Sequence, residues 1–350
     1  MLDEQLRKDF EELFSTDNEW IKGLNGSSIL ITGSTGLIGS VIARALLFYN
    51  DRYNGNITVV CHARNKNKAD MIYNDWLNNN RLDFCFGNID NELIYNGNID
   101  YIIHGANTTS SKEYVEKPVE TIKSIINGTE NVLRFALIKN VKSIVYLSSM
   151  EVYGSVTGEN LKLNENDGGF IDPMSVRSSY SEGKRLAECL CASFSSEYGI
   201  KTIVARLAQV FGAGVSINDN RVFMQLAKCA INHTDFIMRS DGSSYGNYCY
   251  TTDAVKALLI LLKEGKNGEA YNIVNENNTS SIKEMAEMVA NDIADNSFKI
   301  VYDIPKSNMK YGYAPKTRIR LSAEKMRALK WQAEINLQDM YKRMINSLIK

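Results

Sequence analysis

The chain has 350 residues, enough for one large α/β unit with a smaller companion. Hydrophobic residues make up 44% and charged residues 23%, and the formal net charge of −1 excludes a sequence-wide basic field of the kind that holds nucleic acid or an anionic membrane. Six cysteines without a C-x-x-C pair or zinc-ligand spacing read as reduced thiols, and no apolar signal core or bilayer-length segment is present, so a cytoplasmic protein is expected.

Residues 1–22 read as an amphipathic helix, with Leu2, Leu6, Phe10, Leu13 and Phe14 on one face. A strand at 28–32, a glycine turn and a helix over 36–49 follow. Further strands are predicted at 57–61, 83–86, 101–104, 143–148 and 202–207, with helices near 65–79, 117–140 and 179–198 between them. Short apolar strands separated by helices imply a doubly wound parallel sheet of the Rossmann type, with ligands at the carboxyl ends of the strands. After residue 206 the rhythm breaks into helices at 221–232, 252–263, 281–292 and 337–349 and strands at 271–274 and 299–302. The expected division is an N-terminal helical extension (1–27), a dinucleotide-binding domain (28–206) and a smaller C-terminal part (207–350). That last part is read mainly as a substrate domain, with some elements returning to the sheet.

The turn Thr32-Gly33-Ser34-Thr35-Gly36-Leu37-Ile38-Gly39 lies between strand and helix, the context in which a G-x-x-G-x-x-G spacing binds a dinucleotide. Gly33 allows the tight turn, Gly36 lets backbone approach a pyrophosphate, and Gly39 lets helix and strand pack closely. The helix N-terminus offers its free N–H groups to phosphate. At the end of the second strand an acidic residue would select NAD(H); the chain has His62-Ala63-Arg64 instead. Arg64 suits a 2′-phosphate, so NADP(H) is favoured with NAD(H) as the alternative. Asn88 and Ile89 are placed to flank the adenine, and Ala106, past the strand at 101–104, joins the cofactor set.

Tyr180 and Lys184 stand at i and i+4 on one predicted helix, so phenol and ammonium share a face. A nearby cation lowers a phenol toward working pH, which suits Tyr180 as a general acid or base, and Lys184 can also bond the nicotinamide ribose. Ser149, just past a buried strand, can hold the substrate oxygen whose carbon gives or takes hydride.

In these motifs the chain resembles the extended short-chain dehydrogenase/reductases, the epimerase/dehydratase group acting on nucleotide-linked sugars, over about residues 28–331. The resemblance implies Ser149, Tyr180 and Lys184 as the catalytic triad. Ser149-Met150-Glu151-Val152-Tyr153-Gly154 is similar to the Thr-Ser-Glu-Val-Tyr-Gly of UDP-glucuronate decarboxylases. The segment Arg177-Ser178-Ser179-Tyr180-Ser181-Glu182-Gly183-Lys184-Arg185 is similar to their Arg-Ala-Cys-Tyr-Asp-Glu-Gly-Lys-Arg, and Asn218-Asp219-Asn220-Arg221 to their Asn-Asp-Gly-Arg. By that resemblance Glu151 is an acid or base near the sugar ring, while Met150 replaces the Asp of dTDP-glucose 4,6-dehydratases. Relatives also pair the two helices near 117–140 and 179–198 into a homodimer interface, here through Val132, Phe135, Ala136, Leu190 and Phe194.

Some positions depart from the family pattern. Gly246 stands where many relatives place a diphosphate-binding arginine, Gln209 where they have Asn in an Arg-x-x-Asn segment, and Ile125 where Asn often precedes the mid-chain Gly-Thr. Arg221, Arg239, Lys316, Arg318 and Arg320 become the candidates for phosphate or carboxylate contacts, beside Gln209. The departures also fit a second resemblance, to capsule-cluster reductases that convert a CDP-linked ketose to a CDP-alditol. Net NADPH-dependent reduction of a ketone is therefore the leading expectation. A decarboxylase, 4-epimerase or dehydratase with recycled cofactor is the alternative, and a non-catalytic dinucleotide-binding protein the remote one.

Overall fold

The computed structural model describes residues 2–15, 18–107, 111–156, 158, 162–304 and 319–349. Seven parallel strands form one sheet: β1 (Ser28–Thr32), β2 (Thr58–Ala63), β3 (Leu82–Phe86), β4 (Tyr101–His104), β5 (Ser143–Ser149), β6 (Thr202–Leu207) and β7 (Glu269–Ile273). Their order is β7-β6-β5-β4-β1-β2-β3. The reversal at β1 and β4 opens a crevice at the carboxyl edge, the place where doubly wound folds bind ligands.

The helices that build the layers are α1 (Glu4–Ser15), α2 (Leu37–Tyr53), α3 (Pro118–Lys139), α4 (Ser179–Tyr198), α5 (Val222–Asn232), α6 (Thr251–Glu264) and α7 (Leu337–Leu348). Strand alternation sends Leu30, Val60, Ile102, Ile144 and Val204 into a core shared with α3 and α4. Their neighbours Ile29, Ile31, Val59, Ile103, Val145 and Ile203 face a larger core with α2 and α6. Both faces are thus covered, which is why the strands read as continuous apolar runs.

Two expectations need correction here. The N-terminal pattern is broken into α1 and a short helix at Glu19–Lys22; Thr16 and Asp17 lie outside the described residues. Leu6, Phe10 and Phe14 are nonetheless buried on one face of α1. The second correction concerns Val132, Phe135, Ala136 and Phe194, expected to point outward. They are buried within the chain, because α3 and α4 spend that face on the sheet and on each other, and Leu190 packs partly against the same core. The apolar residues that α3 and α4 leave exposed are Val119, Ile122, Ile138 and Leu186, with Tyr198 at the end of α4.

The remaining strands are pairs of two or three residues. Gln209–Phe211 runs with Tyr248–Tyr250, Tyr245–Gly246 against Ser280–Ser281, Phe236–Met238 with Ile300–Tyr302, and Lys162–Leu163 with Arg320–Leu321. Among the described residues no helix is long and apolar enough to cross a membrane.

Candidate active site

The turn from β1 to α2 is fixed by close approach of backbone. Gly33 has φ +71°, and a Cβ there would lie 2.9 Å from the Gly105 backbone at the end of β4. A Cβ on Gly39 would lie 2.5 Å from the Gly33 carbonyl oxygen. Gly36 is exposed, and its N–H donates to that same carbonyl at 2.9 Å. No side chain caps α2, so its first N–H groups face outward unclaimed by a cap. A shallow, Cβ-free floor under an uncapped helix start, with Thr35, Leu37 and Ile38 around it, fits the pyrophosphate of a dinucleotide.

A buried hydrogen-bond chain holds the opposite wall. Thr32 Oγ1 accepts from the N–H groups of Gly105 (3.1 Å) and Ala106 (3.2 Å) and lies 2.7 Å from His104 Nδ1. Thr129 Oγ1 donates to the Ile125 carbonyl at 2.6 Å and lies 3.3 Å from His104 Nε2. The consistent assignment is a neutral His104 with its proton on Nε2, taking the Thr32 hydroxyl proton at Nδ1. Burial holds this imidazole down at about 3, so it stays neutral.

Arg64 lies exposed past β2, and among the described residues no carboxylate ion-pairs with it. Asn88 is exposed past β3. Ile89 is buried beside Gly128 of α3, so its side chain is part of the core while its carbonyl accepts from Asn131 Nδ2 at 3.0 Å.

The four expected catalytic residues converge where β5 ends and α4 begins. Ser149 accepts from the Glu151 N–H at 3.2 Å and lies within hydrogen-bonding reach of Tyr180. Lys184 is buried, donates to the Leu147 carbonyl at 2.6 Å and sits 5.8 Å from the Tyr180 ring centroid. Burial, opposed by Glu188, brings its ammonium down to about 7. Tyr180 differs from the expectation of a lowered phenol: burial first, then the Glu151 charge, push it up to about 12. Hydrogen bonds from Ser149 and Tyr114 and the Arg177 charge work in the other direction, and desolvation outweighs them.

Around Tyr180 the structure adds residues that motif reading passed over. The Tyr114 ring, from the helix Ser111–Glu116, stacks on Tyr180 at 4.3 Å and 10°. Arg177 lies 5.0 Å from the Tyr114 ring centroid and pairs with Glu151 at 3.0 Å. Ser181 donates to Glu151 at 3.1 Å. Tyr114 is 66 positions from Tyr180 and carries no local signal; Arg177 stood inside the quoted motif without a role.

Behind this layer Arg206 on β6 forks onto Glu188 of α4 at 2.7 Å and donates to the Tyr153 hydroxyl at 3.2 Å. Ser148 donates to Glu188 at 2.5 Å, and Tyr153 donates to Asn272 on β7 at 2.8 Å. These half-buried charges are paired, as removal from water demands.

The expected substrate contacts do not gather in the same way. Gln209 is exposed on a strand edge. Arg221 is paired with Asp219 at 2.7 Å and lies over the Phe223 ring, while Arg239 is paired with Asp303. Arg318 and Lys316 lie outside the described residues, and Arg320 is exposed. A Cβ on Gly246 would meet the Tyr248 hydroxyl at 2.3 Å, and that hydroxyl is buried without a partner among the described residues. The space that a longer residue at 246 would need is therefore filled by Tyr248.

With this geometry in place, comparisons identify the lineage. The model of the family described as "NAD dependent epimerase/dehydratase family" matches residues 29–274. UDP-glucuronic acid decarboxylase 6 of Arabidopsis thaliana is 30% identical over 305 residues, covering 83% of this chain and 85% of that one. UDP-N-acetyl-alpha-D-glucosaminuronate decarboxylase of Bacillus cytotoxicus is 29% identical, covering 78% and 82%. The fold matches that of epimerase Mth375 of Methanothermobacter thermautotrophicus, with a TM-score of 0.78, 20% identity and 96% of each chain covered. It also matches UDP-glucuronic acid 4-epimerase of Bacillus cereus, with a TM-score of 0.74, 19% identity, and 92% of this chain and 98% of that one covered. The chain belongs to the NAD dependent epimerase/dehydratase family and is an enzyme of the extended short-chain dehydrogenase/reductase type.

Proposed function

We propose that the protein acts on a nucleotide-linked sugar with a dinucleotide that is recycled within each turnover, and that decarboxylation of a UDP-hexuronate is the reaction. The observation that carries this reading is Glu151, a carboxylate held beside Tyr180 by Arg177 and Ser181. Simple ketone reduction needs the phenol and the hydroxyl but has no work for that carboxylate. The relatives named as decarboxylases support the same choice over the net reduction expected from the departures.

Gly33, Thr35, Gly36, Leu37, Ile38 and Gly39 would hold the pyrophosphate, with Ala106 on the facing wall and Asn88 toward the adenine, above the core residue Ile89. Bound there, the dinucleotide supplies a hydride acceptor and then a donor. Tyr180 takes the proton of the sugar hydroxyl being oxidised, and Ser149 hydrogen-bonds the same oxygen. Lys184, buried against the Leu147 carbonyl, places a cation near the phenol when protonated. A ketone formed beta to the sugar carboxylate lets carbon dioxide leave, and Glu151 is positioned to manage the proton that replaces it. The exposed Arg64 favours a 2′-phosphate, hence NADP(H), with NAD(H) as the alternative. Exposed Ile122 and Leu186 on α3 and α4 support a homodimer, which light scattering at micromolar concentration checks.

The test is UDP-glucuronate with catalytic NAD+ or NADP+, following carbon dioxide and the absorbance of the reduced cofactor. Carbon dioxide release without net reduced cofactor supports the proposal. Stoichiometric NADPH consumption with a CDP-ketose, and no carbon dioxide from UDP-glucuronate, overturns it in favour of the reductase.

A further inference from the structure

The mechanism above uses Arg177 only to hold Glu151 and gives Tyr114 no part, yet these two side chains join Glu151 to Tyr180. Arg177 meets both carboxylate oxygens of Glu151, Nη2 to Oε1 at 3.1 Å and Nη1 to Oε2 at 3.0 Å. The pair is largely sheltered, with side chains 14% and 29% exposed. The same guanidinium lies 5.0 Å from the centre of Tyr114, whose ring lies flat on Tyr180 at 4.3 Å. A proton-accepting phenol and a carboxylate therefore sit around one cation.

Two anions held close in a sheltered site repel, and the phenol, being the weaker acid, is the one that stays protonated. The groups that face Tyr180 are Tyr114 from the helix Ser111–Glu116, Tyr146 and Ser149 from β5, Glu151 from the turn Met150–Tyr153, Arg177 from the turn Val176–Ser178 and Lys184 from its own helix. Two of these are cations. Lys184 is anchored to the Leu147 carbonyl, while Arg177 is the one that grips Glu151.

We propose that Arg177 is a positioning residue that neutralises Glu151, so that Glu151 and the Tyr180 phenolate can carry charge at the same time, with Tyr114 as the stacked plate between guanidinium and phenol. This rests on Tyr180 as the acid–base group and is independent of which sugar is bound.

The ionisation of Tyr180 is read with the oxidised dinucleotide bound, whose positive nicotinamide ring draws the phenol down from its value in the empty site, as the ultraviolet tyrosinate band after subtracting that of Tyr180→Phe, between about pH 6 and 11. Arg177→Met should raise the midpoint by about one pH unit, equivalent to roughly tenfold less phenolate at neutral pH. Arg177→Lys should fall between Met and wild type. In Glu151→Gln/Arg177→Met the charge that needed neutralising is gone, and the midpoint should return to within about 0.3 of wild type. An unmoved midpoint in Arg177→Met overturns the proposal, as does a double variant shifted as far as the single one. If Arg177→Met does not fold, Arg177→Lys alone and combined with Glu151→Gln gives the same comparison at smaller amplitude. No sugar is present in this measurement, so its failure is distinct from failure of the decarboxylase reading.

Discussion

The dinucleotide cradle and the substrate side of the same crevice are built on different principles. The cradle is backbone against backbone: Gly33 against Gly105, Gly39 against Gly33, and one threonine hydroxyl tying down two N–H groups of the β4 turn. The substrate side is side chain against side chain, with Glu151, Arg177, Tyr114 and Tyr180 arriving from four separate segments. A backbone cradle tolerates almost no change of residue but needs few residues to write. A side-chain cluster can be retuned one residue at a time, which suits a family whose members act on different sugars.

The largest expected effect separates the two regions outright. Tyr180→Phe should lower kcat by about 10²–10⁴-fold through loss of the acid–base group. Dinucleotide Kd, followed by fluorescence, should stay within about twofold if the cradle binds independently of the cluster. A parallel loss of Kd would break the comparison. Gly39→Ala attacks the other side. Its methyl has only backbone to push against, so we expect destabilisation of about 1–3 kcal/mol and a clear loss of dinucleotide affinity, measured by thermal melting with and without ligand. Arg64→Ala should weaken NADP(H) about tenfold, consistent with loss of one charge-assisted contact, while leaving NAD(H) unchanged. No effect on either would assign Arg64 to the solvent, and an equal loss of both would assign it to a group the two dinucleotides share.

The smallest effect is one of pH. Burial lowers Lys184 from 10.5 to about 7, so between those values the unfolded chain holds a proton that the folded one has released. Stability rises with pH wherever the unfolded state binds more protons. The penalty of burying this ammonium is therefore complete below about pH 7 and fades toward pH 10.5. Lys184→Met should melt above wild type near neutrality, by a margin that narrows as pH rises. A margin that widens would place the charge elsewhere.

The cradle was also the more legible region. Strands at 101–104 and 202–207 match β4 and β6 because a short buried run bounded by turn residues has few other ways to fold. The glycine spacing was readable because each glycine answers a steric demand of its immediate neighbours. The substrate side was legible only where residues share a helix, as Tyr180 and Lys184 do. Tyr114 has no spacing that betrays it, and the 26 positions between Glu151 and Arg177 follow no helical or strand period. Periodicity revealed an apolar stripe on α3 through Val132, Phe135 and Ala136. It could not say that the sheet and α4, rather than a second chain, lie against it. The two-residue strands at 162–163 and 320–321, which pair with each other, were invisible because nothing so short has a period.

The N-terminal helix carries a consequence for biogenesis. Asp9 on α1 is 1% exposed and is bonded by Gln5, Tyr250 and Arg343 of α7. Asp9 and Arg343 are 334 positions apart, so the clasp cannot close until Arg343 has left the ribosome. Phe10 and Phe14 find ring partners early, in Phe48, Tyr49 and Tyr53 of α2, but until Arg343 arrives Asp9 is better left in water. Assembly of the sheet can run ahead during translation, while closure of the clasp between α1 and α7 is a late, long-range event whose slowness is set by loop closure rather than by local propensity.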